Sequence, residues 1–136
     1  MTIRTRNALQ AAFISMAASL CLTALIILFM QWTESWSTLM INSSVITFLV
    51  TLTIWWMSFG TSNKSNLRAV FVGVSIPIIS LFLLMMSLWS AEFDFMQNLA
   101  SGIIMTFAGL TTFGIVLLPV AIAISVFTHV NQMRDV

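Results

Sequence analysis

Residues 7–33 form a run of 27 without a single Asp, Glu, Lys, Arg or His, and this is the first of four such runs. A bilayer core about 30 Å thick takes roughly 20 apolar residues as a helix. Four stretches meet that length: 9–32, 39–59, 67–89 and 99–128. They are continuously apolar rather than alternating with period two, which excludes β-barrel strands. The constraint is severe, because a chain with only nine charged side chains among 136 residues cannot cover a water-exposed surface. Soluble domains carry charge on about a quarter of their residues; here the figure is 7%, with 60% hydrophobic residues and a mean hydropathy of +1.05. The fold class expected is an all-α membrane protein of four transmembrane helices, forming one domain over 1–136.

The first segment imitates a secretion signal, with Arg4 and Arg6 ahead of an apolar run. The run is too long for a signal core and no A-x-A site closes it, so it reads as an uncleaved helix. Ala18-Ser19-Leu20-Cys21 is not a lipoprotein site, since Leu precedes the cysteine. A lone cysteine allows no internal disulfide and no cysteine metal cage, and reads as a small buried hydrophobe. The fourth segment lies in the charge-free interval 95–133 and must tilt, kink or begin in the interface. Pro119 offers a kink there, as Pro77 does in the third helix.

The polar stretch 61–68 divides the chain into halves and is the only interior one that carries positive charge. With four helices, Arg4, Arg6, Lys64, Arg68 and Arg134 fall on one side; Glu34, Glu92 and Asp94 fall on the other. Asp135 alone breaks the division. Such a bias over short loops predicts a cytoplasmic N-terminus and C-terminus in a bacterial cell inner membrane. Trp32, Trp36 and Trp89 belong at the outer interface, Trp55 and Trp56 at the inner one. Five basic residues in three places make no nucleic-acid surface.

The halves also resemble each other. Offsets of 58, 57 and 56 residues lay Ala11-Ala12-Phe13-Ile14 over Ala69-Val70-Phe71-Val72, Trp32 over Trp89, and Met40-Ile41-Asn42 over Met96-Gln97-Asn98. The expectation is two hairpin repeats, 6–60 and 66–128, related by an axis along the membrane normal.

No Asp, Glu, Lys, Arg or His falls inside the hydrocarbon. Proton relays, voltage sensors and ion-coupled exchange ordinarily need one there, and intramembrane hydrolysis needs a nucleophile with a base or a liganded metal. The chain therefore reads as no enzyme, with no catalytic residue, cofactor or metal. His129 reads as a solvated interfacial histidine, and the ten methionines as adaptable packing. The loop 90–95, alternating acids with aromatics, reads as a re-entry with phenylalanines in the interface.

Small and hydroxyl residues recur at helical spacing. Ala11, Ser15, Ser19 and Thr23 repeat every fourth residue; Ser44, Thr47, Thr51 and Ser58 form a second stripe. Gly73, Ser80 and Ser87 repeat every seventh, and Gly102, Thr106 and Gly109 cluster. Such stripes let helices approach closely, or line a polar path. The helix-packing or pore-lining candidates are accordingly Ser15, Ser19, Thr23, Thr47, Thr51, Gly73, Pro77, Gly102, Thr106, Gly109 and Pro119.

The layout, with pieces such as Phe13-Ile14-Ser15-Met16 and Val45-Ile46-Thr47-Phe48-Leu49, resembles small bacterial inner-membrane proteins built from two-helix hairpins. More distantly, it is similar to the proteobacterial small multidrug-efflux proteins. That group has a membrane glutamate and an Arg-x-x-His start to each hairpin. Here the starts are Arg6-Asn7-Ala8-Leu9 and Arg68-Ala69-Val70-Phe71, without histidine or glutamate, so no site is carried over. The expected function is helix association, as an accessory, regulatory or immunity-type subunit or a homo-oligomer. Its partners would be the lipid bilayer and either itself or another membrane protein. The alternatives are a small transporter or channel for a neutral or lipophilic solute, and a holin-like membrane protein.

Overall fold

A computed structural model of the chain describes residues 2–30, 36–59, 66–87 and 92–134, with the backbone alone at 29–30 and 36–39. Four helices account for nearly all of it: α1 (Ile3–Met30), α2 (Trp36–Ser58), α3 (Asn66–Ser87) and α4 (Phe95–Arg134). Each is long and apolar enough to cross a membrane. Lys64, Glu34, Asp135, Trp32 and Trp89 lie outside the described residues.

All four helices start ahead of the apolar stretches that announce them, and α4 also runs past the end of its own. Hydropathy marks only the part that lipid can cover, whereas a helix continues as long as its backbone and ends are satisfied. At the start of α4, Asp94 Oδ1 accepts from the Gln97 backbone N–H (2.8 Å), and Gln97 Oε1 accepts in return from the Asp94 N–H (3.2 Å). This reciprocal capping box starts the helix four residues before the expected span. At the start of α1, Thr2 Oγ1 accepts from the Thr5 N–H (3.3 Å).

The chain packs as two antiparallel hairpins. α1 lies along α2, α3 along α4, and α2 leans on α3; α1 meets α4 over a much smaller area. Ala8, Ala11, Val50, Trp55, Val72 and Ile76 make the common apolar core of α1, α2 and α3. The end where α1 and α3 begin and α2 and α4 finish is the basic end. There, Arg4 Nε donates to the Trp56 carbonyl (2.8 Å) and Arg68 Nη1 to the Ser58 carbonyl (2.8 Å). α2 has no basic residue in its own last turn. Guanidiniums from α1 and α3 supply the positive charge that the unpaired carbonyls of a helix C-terminus attract.

α4 takes a longer path than its partner. Gly73 of α3 faces Ile122, and Leu81 faces Gly109. Between these points α4 covers about 20 Å of helix and α3 about 12 Å, at 1.5 Å per residue. Two straight helices in parallel contact cannot do this; α4 has to incline or curve relative to α3. Between these points Ile115 is 83% exposed, and a Cβ at Gly114 would meet only side chains of its own helix. Pro119 falls within this stretch and removes one intrahelical hydrogen bond, which eases the curvature.

Candidate functional site

The chemistry within the bundle is a set of polar contacts at helix crossings. In the first hairpin, a hydroxyl cluster joins α1 to α2. Thr23 Oγ1 lies 2.7 Å from the Ser19 carbonyl and 3.1 Å from Ser43 Oγ, and Thr47 Oγ1 reaches Ser19 Oγ at 3.4 Å. Ser43 Oγ also lies 3.1 Å from the Met40 carbonyl. Each hydroxyl owns one proton, so Thr23 and Ser43 share a chain in which one gives its proton to a backbone carbonyl and receives the other's. Ser15 is half-buried on the same side of α1.

In the second hairpin, glycine replaces hydroxyl as the means of approach. A Cβ at Gly73 would stand 2.8 Å from Ile122 Cα and 3.1 Å from the Ala121 carbonyl oxygen, so the two backbones touch. Next to it, Ser125 Oγ donates to the Ala69 carbonyl (2.7 Å) across the interface. A Cβ at Gly102 would meet Met86 Sδ, and one at Gly109 would meet Leu81 Cδ2, both ends of flexible side chains. Thr106 is buried and gives its proton back to the Gly102 carbonyl (2.7 Å). Pro77 is buried on the same face of α3 as Gly73, while Pro119 is exposed.

A third cluster lies at the basic end. Trp55 Nε1 donates to Gln132 Oε1 (3.1 Å), while Gln132 Nε2 donates to the Asn7 carbonyl (2.9 Å) and toward Gln10 Oε1 (3.4 Å). One amide thus ties α4 to both helices of the first hairpin. His129, one turn earlier and 5% exposed, stacks on Phe59 with ring centroids 4.6 Å apart. Phe59 in turn packs on Trp55 at 4.5 Å.

Three side chains stand elsewhere than their sequence context suggests. His129 is enclosed rather than solvated, because α4 runs on past the apolar span and lays its last turns against α1 and α2. Trp55 is 2% exposed and hydrogen-bonded inside, whereas its neighbour Trp56 is 46% exposed. Successive helical residues point about 100° apart, so only Trp56 faces outward. Cys21 is exposed rather than buried: it lies two residues beyond Ser19, which faces α2, and so points to the opposite side of α1. The Gln132 cluster had no sequence signal, for its members are spread over three helices and Gln132 itself lies beyond the apolar span of α4.

Not every buried hydroxyl is used. Thr51 Oγ1, Ser80 Oγ and Thr128 Oγ1 are enclosed and have no hydrogen-bond partner among the described residues. Thr51 is fully buried, at 0% exposure. Among the described residues, no three His, Cys, Asp or Glu side chains come together as a metal site would require. No protein-family model, curated protein or solved structure matches the chain. Its architecture stands on its own helices: four, each able to span a bilayer, make this a multi-pass membrane protein.

Proposed function

We propose that the chain is a non-catalytic protein of the bacterial inner membrane, both termini cytoplasmic, that works by associating through its helices. Its partner is either a foreign membrane protein, for which it is an accessory, regulatory or immunity-type subunit, or further copies of itself. The observation that carries this reading is the outward face of α4. Ser101, Ile104, Ala108, Thr111 and Ile115 fall at spacings of three and four, all exposed. Ser101, Ala108 and Thr111 thus leave gaps beside Ile104 and Ile115 on one stripe, the profile into which another helix fits. Thr111 returns its hydroxyl to the Phe107 carbonyl (2.8 Å), so this position carries no unmet polar demand. Ser19 and Thr23 of α1 and Gly73 of α3, by contrast, are used within the chain.

The test is affinity purification from native membranes followed by mass spectrometry, with wild type beside Ala108→Trp. A stoichiometric companion held by the wild type and lost by the folded variant supports the reading. A companion held equally by both would sink the α4 assignment.

The unused hydroxyls of Thr51, Ser80 and Thr128 favour a second reading, a carrier of a small neutral solute whose own hydroxyl would meet them. Proteoliposomes that pass glycerol no faster than empty liposomes would remove that support.

A further inference from the structure

We infer that the basic end holds a binding site for the headgroup of an anionic phospholipid, centred on Arg4. This side chain is held on two sides by Trp56. Its Nε–H donates to the Trp56 carbonyl at 2.8 Å, and its guanidinium carbon lies 3.8 Å from the centre of the Trp56 ring. A hydrogen bond and a cation–π contact together fix both the position and the plane of the group. An arginine on a membrane surface ordinarily loses considerable rotamer freedom when it binds. Arg4 has given up most of it already.

The donors that remain define what the site accepts. A guanidinium has five N–H groups in a planar fork, and the Trp56 carbonyl takes one. The four on Nη1 and Nη2 meet no acceptor among the described residues, and neither nitrogen is among the enclosed, partnerless atoms. A phosphate diester matches two of these donors at once. Water can satisfy them too, so the preference for lipid comes from the surroundings.

Those surroundings combine charge with an apolar wall. Arg6, Arg68 and Arg134 share the basic end with Arg4, while the described acids, Glu92 and Asp94, stand at the opposite end of α4. The field therefore favours a headgroup with net negative charge over a zwitterionic one. Ile3, Trp56 and Met57 are large, exposed and apolar beside Arg4. A phosphate on the guanidinium places its acyl chains along this outward side of α2, where Leu49 and Val45 continue the exposed apolar surface. A free inorganic phosphate would gain the donors and none of the wall.

The experiment uses the full chain in detergent, offered an equimolar mixture of phosphatidylglycerol and phosphatidylcholine, with retained lipid counted by native mass spectrometry. Wild type should retain phosphatidylglycerol over phosphatidylcholine by roughly fivefold, the factor expected for one basic residue at a membrane surface. Arg4→Gln should bring the ratio near one. Arg134→Gln, which removes the same charge from an exposed position, should leave most of the preference intact. Equal retention of the two lipids by wild type overturns the proposal. So does an equal loss in both variants, which would reduce the preference to bulk charge. If millimolar inorganic phosphate displaces the phosphatidylglycerol, the site is for a free anion and the proposal is again wrong. Should Arg4→Gln fail to fold, wild-type retention and phosphate competition still decide the matter.

Discussion

The two hairpins solve one problem by different chemistry. α1 and α2 are joined by hydroxyls: Ser19, Thr23, Ser43 and Thr47 exchange hydrogen bonds across the crossing. α3 and α4 are joined by shape, with Gly73 admitting the backbone at Ile122, beside a cross-helix bond from Ser125 to Ala69. In lipid there is little hydrophobic drive between helices, so packing and interhelical hydrogen bonds have to supply the association. A hydroxyl has an alternative open to it, because it can return to its own i−4 carbonyl when the neighbour is absent. A backbone surface has no such alternative. The second hairpin should therefore be the more brittle of the two, and the first the more forgiving.

Substitution at Gly73 should separate them most sharply. Gly73→Leu has to push apart two backbones already in contact and should cost roughly 3 kcal/mol, the upper part of the range for overpacking. Thermal unfolding in detergent would show it, and a variant within a degree of wild type would deny the close approach its importance. Thr23→Val keeps the shape but removes the cross-helix hydroxyl. It should cost only about 0.6 kcal/mol, the mean for such bonds in a membrane, read as a small shift in a detergent denaturation midpoint. If it proves as damaging as Gly73→Leu, the two hairpins do not differ as argued. The smallest effect belongs to Gly114→Ala. The added methyl would find its nearest atoms at 3.8 and 3.9 Å, ordinary contact within its own helix. Improved helix propensity should then raise stability by up to about 1 kcal/mol, seen as a slight rise in melting temperature. A fall would mean that something packs against Gly114.

The number and rough placement of the helices were legible because lipid imposes a length and forbids charge, and both are written residue by residue. The stripes were legible as faces. Ser19 and Thr23 had to point the same way, but spacing alone does not say which neighbour stands opposite. Nor could it say that Cys21 points to the other side without knowing where Ser19 points. The Gln132 cluster was illegible for a different reason. A glutamine near the end of a polar tail reads as solvated, and only the continuation of α4 through Arg134 brings it against Asn7 and Trp55. Likewise Arg4 and Arg68 count toward a side of the membrane in the sequence, yet in the fold each also closes the end of α2.

α4 is forty residues long, about 60 Å at 1.5 Å per residue, while α3 is about 33 Å. Three helices are thus near the thickness of a bilayer or moderately above it, and one is about twice that thickness. A thinner or thicker membrane asks little of α2 and α3. The fourth helix has to change its lean or its curvature, at a modest free-energy cost for each ångström of mismatch. It is held to α3 by Gly102 and Gly109 on one side of Ile115 and by Ile122 and Ser125 on the other, with Gln132 against α1 and α2 beyond. A rod held on either side of a stretch that is longer than the gap it bridges, as residues 109–122 of α4 are, is a spring. In this molecule the compliance toward the membrane is concentrated in one element.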